Sequence, residues 1–284
     1  MSTDLASHLN GQTELEAQPR PSRLRRVAGS TVPPLITGLV ILFGLEVFSR
    51  AEVLPPILFP SPFSVFAEMG HQATTNFLWS NLWTTFQEAA LGFVIGSLIG
   101  LMGGVAIGLS RMVSKAIYPF VIVVQAIPRV ALAPVIIAFF GFGMSSKVVI
   151  AVAICFFPVL INTIVGLRQA DQSALLLMRS LQATRWQAFK KLLLPSALPS
   201  IFAGLKTAMT FAFIGAIVGE LMAANQGIGQ LIEHAAFQLR FDAMFGYILW
   251  LALLSLIAFG VMEWLDHKLI FWTEDIRSEG REPK

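Results

Sequence analysis

Charge is scarce in this sequence. Only 13% of its 284 residues are Asp, Glu, Lys or Arg, against 55% hydrophobic, and the mean hydropathy is +0.71. Soluble domains carry about a quarter charged residues, so that class is excluded and the chain reads as an integral membrane protein. Cysteine is nearly absent as well. The single Cys155 sits in an apolar run, which rules out an intrachain disulfide and leaves packing as its role. No GxxxxGK[ST] phosphate loop occurs, which excludes ATP binding and hydrolysis by that route. His8, His71, His234 and His267 are scattered, with no HExxH or Cys-His cluster, so metal catalysis has no support. The GFG at 141–143 and the GIG at 227–229 lack a GxGxxG context and read as turns. Nothing marks an enzyme. In so apolar a chain the net charge of +3 bears on membrane topology and not on nucleic acid.

What the sequence has in abundance is apolar runs close to the roughly 20 residues that a membrane-crossing helix needs. They cover residues 32–48, 85–109, 116–140, 147–165, 198–221 and 244–265. The expectation is an all-α protein with six transmembrane helices within 30–270, flanked by polar tails at 1–29 and 271–284. Pro55, Pro56, Pro60 and Pro62 mark a loop after the first span, and Trp79 and Trp83 beyond it suit an interfacial belt. The second span carries Gly92, Gly96, Gly100, Gly104 and Gly108 at a constant spacing of four, a face against which another helix backbone can pack closely. Pro119, Pro128 and Pro134 interrupt the third and are expected to deprive the carbonyls of Lys115, Val124 and Val130 of intrahelical donors. Such breaks are tolerated where backbone meets protein or a water-filled cavity. A short helix is expected from Ile228, between the last two spans.

The basic residues orient the spans. With the N terminus inside, only Arg50, Lys147 and Arg240 fall outside and Arg129 and Lys206 fall within spans; the others lie in the tails and the cytoplasmic loops. Both termini are therefore expected in the cytoplasm. A cation facing lipid near the bilayer centre costs roughly 2.5 to 3.5 kcal/mol, so Arg129 and Lys206 should face protein or water. They are the candidates for a translocation pathway. For Lys206, snorkelling or bonding to loop carbonyls is an equal alternative. Glu88 reads as an interfacial residue at the outer surface.

The longest cationic stretch after the N-terminal tail is residues 168–199, RQADQSALLLMRSLQATRWQAFKKLLLPSALP. It is patterned as two short amphipathic helices. Asp171 or Ser173 can cap the first, whose Leu175, Met178 and Leu181 recur at helical spacing. Thr184 and Gln187 have the spacing of a capping box for the second, which carries Trp186, Phe189 and Leu193. Pro195 and Pro199 punctuate the entry to the next span. A helix-turn-helix of this kind, held between two spans, is suited to touch a protein partner on the aqueous side.

This stretch resembles the cytoplasmic coupling loop of bacterial ABC importer permeases, with its EAA motif. Counting back from Leu194 and Pro195 puts Leu192 at the motif's Ile, Gln182 at its Gly, and Leu176, Leu177 and Met178 at its Glu-Ala-Ala. The C-terminal half fits and the N-terminal half departs. IPRVALAPVIIAFFGFG at 127–143, FFPVLINTIVGL at 156–167 and LPSALPSIFAGLK at 194–206 are similar to permeases of the nitrate, sulfonate and taurine group. The resemblance implies a type-1, MetI-like permease of the bacterial inner membrane that moves a small, anionic solute by alternating access. Its implied partners are two cytoplasmic ABC ATPase subunits holding the ATP and Mg, a periplasmic or lipid-tethered binding protein, a second permease copy and the lipid bilayer; no cofactor is expected on this chain. The ATPase-coupling residues it implies are Leu175, Met178, Leu181, Gln182, Ala183, Trp186, Phe189, Leu194 and Pro195, and it adds Glu220, at the outer end of the fifth span, to the pathway candidates as a residue of the outer gate. Gln182 must accept a positive φ or shift the turn by a residue. Without an acid at Leu176, docking should lean on apolar contact. The alternative is a carrier driven by an ion gradient, which would need inverted repeats or acids at midplane, and neither is visible.

Overall fold

The computed structural model describes residues 23–51, 58–223 and 225–270, with side chains from residue 36 onward except that of Arg111. The C-terminal tail at 271–284 and most of the N-terminal tail at 1–29 lie outside the described residues. The chain divides into two units, residues 1–55 and 56–284. The first contains helix α1, Arg23–Arg50, which includes the expected first span and ends on an Arg50–Glu46 ion pair of 2.8 Å at i,i+4. At 28 residues α1 is about 42 Å long, enough for a bilayer core.

The second unit holds ten helices among its described residues: α2 (Pro62–Ala73), α3 (Asn76–Leu109), α4 (Arg111–Gln125), α5 (Ala133–Phe140), α6 (Met144–Arg168), α7 (Gln172–Ser180), α8 (Arg185–Ala188), α9 (Leu194–Ala223), α10 (Ile228–Phe237) and α11 (Phe241–Leu269). Among the described residues, four helical stretches, Asn76–Leu109, Met144–Arg168, Arg185–Ala223 and Phe241–Leu269, are long and apolar enough to cross a membrane. The third of these joins α8, a wide π turn at Phe189–Leu193 and α9 into one rod of 39 residues.

The expected third span is not a straight crossing. Met112–Gln125 and Arg129–Phe140 meet at 87°, with a 3-10 turn at Arg129–Leu132 between α4 and α5. Pro128, extended at ψ 101°, makes the break, while Pro119 is absorbed inside α4 and Pro134 sits in the first turn of α5, where its missing N–H costs nothing. Two of the carbonyls expected to lose their intrahelical donors find donors just beyond their own helical segments. Val124 accepts from Ile127 N at 3.2 Å, and Val130 accepts from Ala133. Tight i,i+3 bonds rescue them at the corner. Helix α3 starts nine residues before the expected span and takes in Trp79 and Trp83. Thr75 caps it, and the polar face of its first three turns is buried against protein instead of ending the helix.

At the centre lies α6, between α3 and α9. Small residues allow this. A Cβ on Gly100 would lie 2.6 Å from the Phe156 carbonyl oxygen, and one on Gly104 2.5 Å from Thr163 Cβ. Gly92, Gly96 and Gly108 meet Ala151, Cys155 and Leu167 along the same seam. On its other side Ala151 meets Gly215, and Gly166 and Gly204 bring α6 and α9 together further along. Lipid tails are as apolar as the helices, so close van der Waals contact, and not the expulsion of water, holds these backbones together. The seam also encloses Ala89, Cys155, Ala208, Ala212 and Ala216, all fully buried. Helix α11 packs on α2, α9 and α10.

Candidate functional site

The loop between α6 and α9 forms one end of this unit. Asp171 caps α7, its Oδ1 accepting from Ser173 N at 2.9 Å. At the other end of α7, Ala183 N donates to Met178 O and Gln182 N to Arg179 O, both at 2.9 Å, while Gln182 takes φ 56°. Gln182 thus accepts the left-handed conformation in place, and the turn does not shift. The capping box is complete: Gln187 N donates to Thr184 Oγ1 at 3.2 Å and Thr184 N to Gln187 Oε1 at 2.8 Å. Trp186 stacks on Phe189 at 5.6 Å between centroids.

Local geometry sorts the expected coupling residues into three sets. Phe189, Leu193 and Leu194 pack on the cluster of Leu167, Ala197 and Ile201, rooting the loop in the bundle, and Pro195 lies in the first turn of α9. Leu175, Met178 and Ala183 are half-buried. The apolar face left open is Leu176 and Leu177, each 60% exposed, with Leu181 at 69% and Trp186 at 67%. Leu176 and Leu177, expected at the Glu-Ala positions of the resembling motif, are therefore part of the open face. At the entry to the loop, Arg168 at the end of α6 donates to Ser114 Oγ and lies 5.2 Å over the Tyr118 ring, tying the loop to α4. Ser200 on α9 donates to Gln169 Oε1 at 3.3 Å.

Arg129 lies at the corner between α4 and α5, partly buried, its guanidinium 4.4 Å over the Phe157 ring and Nη1 donating to Ile154 O at 3.4 Å. Lys206 pairs with Asp266 of α11 at 2.7 Å, in place of the snorkelling or carbonyl contacts considered for it. Each side chain of that pair is about a quarter exposed, which fits a bridge near the end of the bundle.

The opposite end of the unit is closed by a buried polar cluster. Glu88, expected at an outer surface, is fully buried and accepts from Lys147 Nζ at 2.9 Å. Lys147, expected outside, is 5% exposed. Glu220 is fully buried; Thr85 Oγ1 donates to its Oε1 at 2.7 Å and Gly229 N to its Oε2 at 2.6 Å. Gly227 N donates to Asn81 Oδ1 at 2.7 Å and Ile228 N to Thr85 Oγ1 at 2.9 Å. Three amides at the start of α10, orphaned by helix geometry, are thereby satisfied by side chains from α3 and α9. A carboxylate suits this position because the helix N terminus carries partial positive charge. Gly227 makes the approach possible: its φ of 115° favours glycine, and a Cβ there would overlap the Glu220 carboxyl group. Sequence reasoning singled out Glu220 but missed Asn81, Thr85 and Lys147. The signal was present, since Asn81, Thr85 and Glu88 follow i, i+4, i+7 and share one face of α3. Among the described residues, no three His, Cys, Asp or Glu side chains come together as metal ligands would.

Residues 92–271 match the family described as "binding-protein-dependent transport system inner membrane component". The chain is similar to a probable ABC transporter permease of Haemophilus influenzae, at 35% identity over 84% of this chain and 96% of that protein. It is 30% identical to the formylaminopyrimidine transport permease of Halalkalibacterium halodurans, over 84% of this chain and 95% of that one. A putative aliphatic sulfonates transport permease of Escherichia coli is 31% identical over 90% and 95%. Among solved structures, an inward-facing MetNI methionine ABC transporter superposes with a TM-score of 0.61 at 18% identity, covering 69% of this chain and 97% of that chain, a likeness of fold.

Proposed function

Since this chain belongs to the binding-protein-dependent transport system inner membrane components, we propose that it forms the solute pathway of an ATP-driven importer and receives its power through the loop at 168–199. It is a membrane component with no ATPase domain of its own. The observation that carries the reading is the open apolar face of Leu176, Leu177, Leu181 and Trp186 at the tip of that loop. A face of that kind on an ordered, doubly capped helix pair suits the groove of a protein partner. Two ABC ATPase subunits dock there, one on each of two permease copies, and hold the ATP and Mg; this chain binds no cofactor. The loop and both termini lie in the cytoplasm, in keeping with the distribution of basic residues.

Closure of the ATPase pair moves the two loops. Each loop is rooted in α9 through the continuous rod from Arg185 to Ala223 and tied to α4 by Arg168, so its displacement reaches the corner that holds Arg129. Access to the pathway alternates as these elements shift. The solute is small and anionic, a reading favoured by the cation at that corner and by the sulfonate permease among its relatives. The test is co-purification and transport. The tagged chain should retain an ABC ATPase from its host's membranes, and Leu181→Asp with Trp186→Asp should release it. Proteoliposomes of the retained complex, supplied with exported binding proteins, should take up taurine, an alkanesulfonate or nitrate only with ATP. Uptake driven by a proton or sodium gradient alone would establish the gradient-driven alternative.

A further inference from the structure

Beside the polar cluster, at the end of the unit away from the docking loop, lies a cleft of about 320 Å3. Phe77 of α3, Gln230, His234 and Gln238 of α10, Arg240 of the following turn and Tyr247 of α11 line it. Its polar groups are a guanidinium, two amides, an imidazole and a phenol. No acidic residue is among those lining it, and the carboxylate that reaches Arg240 is Glu68 from α2, at 3.1 Å. That bond engages one guanidinium nitrogen. The Arg240 side chain remains 55% exposed, so further donors of its planar fork stay open to a second carboxylate.

These donors stand on a rigid base. The polar cluster clamps the start of α10. At its other end Leu239 takes φ 56°, Arg240 N donates to Ala235 O at 2.9 Å and Leu239 N to Ala236 O at 3.0 Å, which fixes where Arg240 leaves the helix. Around the cleft, Phe237 is 80% exposed and Phe77 and Leu239 are each 60% exposed. An arginine amid exposed aromatic and aliphatic side chains on an immobile base is the anatomy of a protein-binding hot spot. A solute site would instead enclose most of its ligand.

We propose that this cleft receives an acidic side chain projecting from the binding protein, with Phe237 and Leu239 packing on the surrounding surface of that partner. The proposal rests on the importer reading, because a binding protein must deliver solute at the end opposite the ATPases. The carboxylate seats against Arg240 and the amides of Gln230 and Gln238. The clamp of Asn81, Thr85 and Glu220 holds the platform in position.

Photo-cross-linking in intact cells of the host, with the full transporter in place, tests it. Benzoylphenylalanine replacing Phe237 should give an adduct that mass spectrometry identifies as an exported solute-binding protein, while the same group at the apolar, exposed Val94 of α3 should not. Adding Arg240→Glu should lower the adduct at least about tenfold, the scale of one charge-assisted contact of about 1.5 kcal/mol, and replacing the partner's acid by Arg should restore it. Because Arg240→Glu also disturbs Glu68, Gln238→Glu serves as a second variant that places a repelling carboxylate on the exposed rim and should act the same way. An adduct only with lipid or with a second copy of this chain, no adduct at all, or a binding-protein adduct indifferent to both charge variants would overturn the proposal. So would an unchanged adduct accompanied by weaker uptake of free solute, which would make the cleft a solute site. ATPase retention through the docking loop is read separately in the same cells. If the unsubstituted chain retains none, the importer reading fails; if the variants retain it and the adduct is unaffected, only the cleft proposal fails.

Discussion

A single methyl group at position 100 tests the seam that organises the bundle. In Gly100→Ala the new Cβ would lie 2.6 Å from the Phe156 carbonyl oxygen, 2.9 Å from Val159 Cβ and 3.1 Å from Leu160 N. Ordinary contact begins near 3.4 Å, so α3 and α6 must part by about 0.8 Å at that point. Two of the three obstacles are backbone atoms and cannot rotate away, and separation there also loosens the contacts at Gly96 and Gly104. Overpacking of this kind costs about 1–3 kcal/mol. Alanine also gains about 1 kcal/mol of helix propensity over glycine, which would mask part of the loss. Gly260→Ala is the control, since nothing lies within 4 Å of a Cβ there and it collects the propensity gain alone. The difference between the two variants should therefore be about 1–3 kcal/mol, with Gly100→Ala the less stable. Reversible unfolding of the purified chain in mixed micelles, titrated with dodecyl sulfate and followed by circular dichroism, measures it. If the two agree within about 0.5 kcal/mol, the seam is looser than the geometry requires and the account of the core is refuted.

Lys147→Met strands the buried Glu88 carboxylate and should cost about 3–5 kcal/mol, while the pair Lys147→Met with Glu88→Leu should recover most of it in the same titration. Gln182→Gly relieves a left-handed residue and should stabilise the loop by about 1 kcal/mol, read as roughly fivefold slower hydrogen exchange at residues 181–183. Arg129→Ala should lower uptake about tenfold with the ATPase still bound, the scale of one lost contact to a charged group; unchanged uptake would limit Arg129 to its structural contacts with Phe157 and Ile154. ATPase retention should vary little with salt, because the open face of the loop is apolar, and Leu176→Glu should introduce a salt dependence. A native complex that dissociates steeply as salt rises would show that docking uses another surface.

The loop at 168–199 was legible almost residue by residue, because caps and short helices are local. Asp171 and the Thr184–Gln187 box follow from side chains reaching backbone within a few positions, whereas at Gln182 two outcomes were open and backbone bonds to Met178 and Arg179 close the turn with a positive φ. The glycine spacing on α3 was equally plain, but its partner was not: that Gly100 meets Phe156 depends on how two distant helices cross. The proline-interrupted stretch announced a break without its angle, and the 87° corner follows from where α5 finds α6 and α9 to pack on. Charges misled most. Lys147 and Glu88 look like residues of an outer surface when each span is read alone, because a single helix cannot reveal a counter-ion 59 residues away.

The amino-acid sequence by itself determined the membrane environment, the helical class, the approximate spans and the ends of the loop helices. All of these rest on composition, hydropathy and bonds within a turn or two. Tertiary structure decided which cations are paired, which apolar side chains of the loop stay open and what holds α10 in place. Those outcomes depend on contacts such as Thr85 with Glu220 and Lys206 with Asp266, in which partners far apart in the chain acquire a common environment only once the helices have packed.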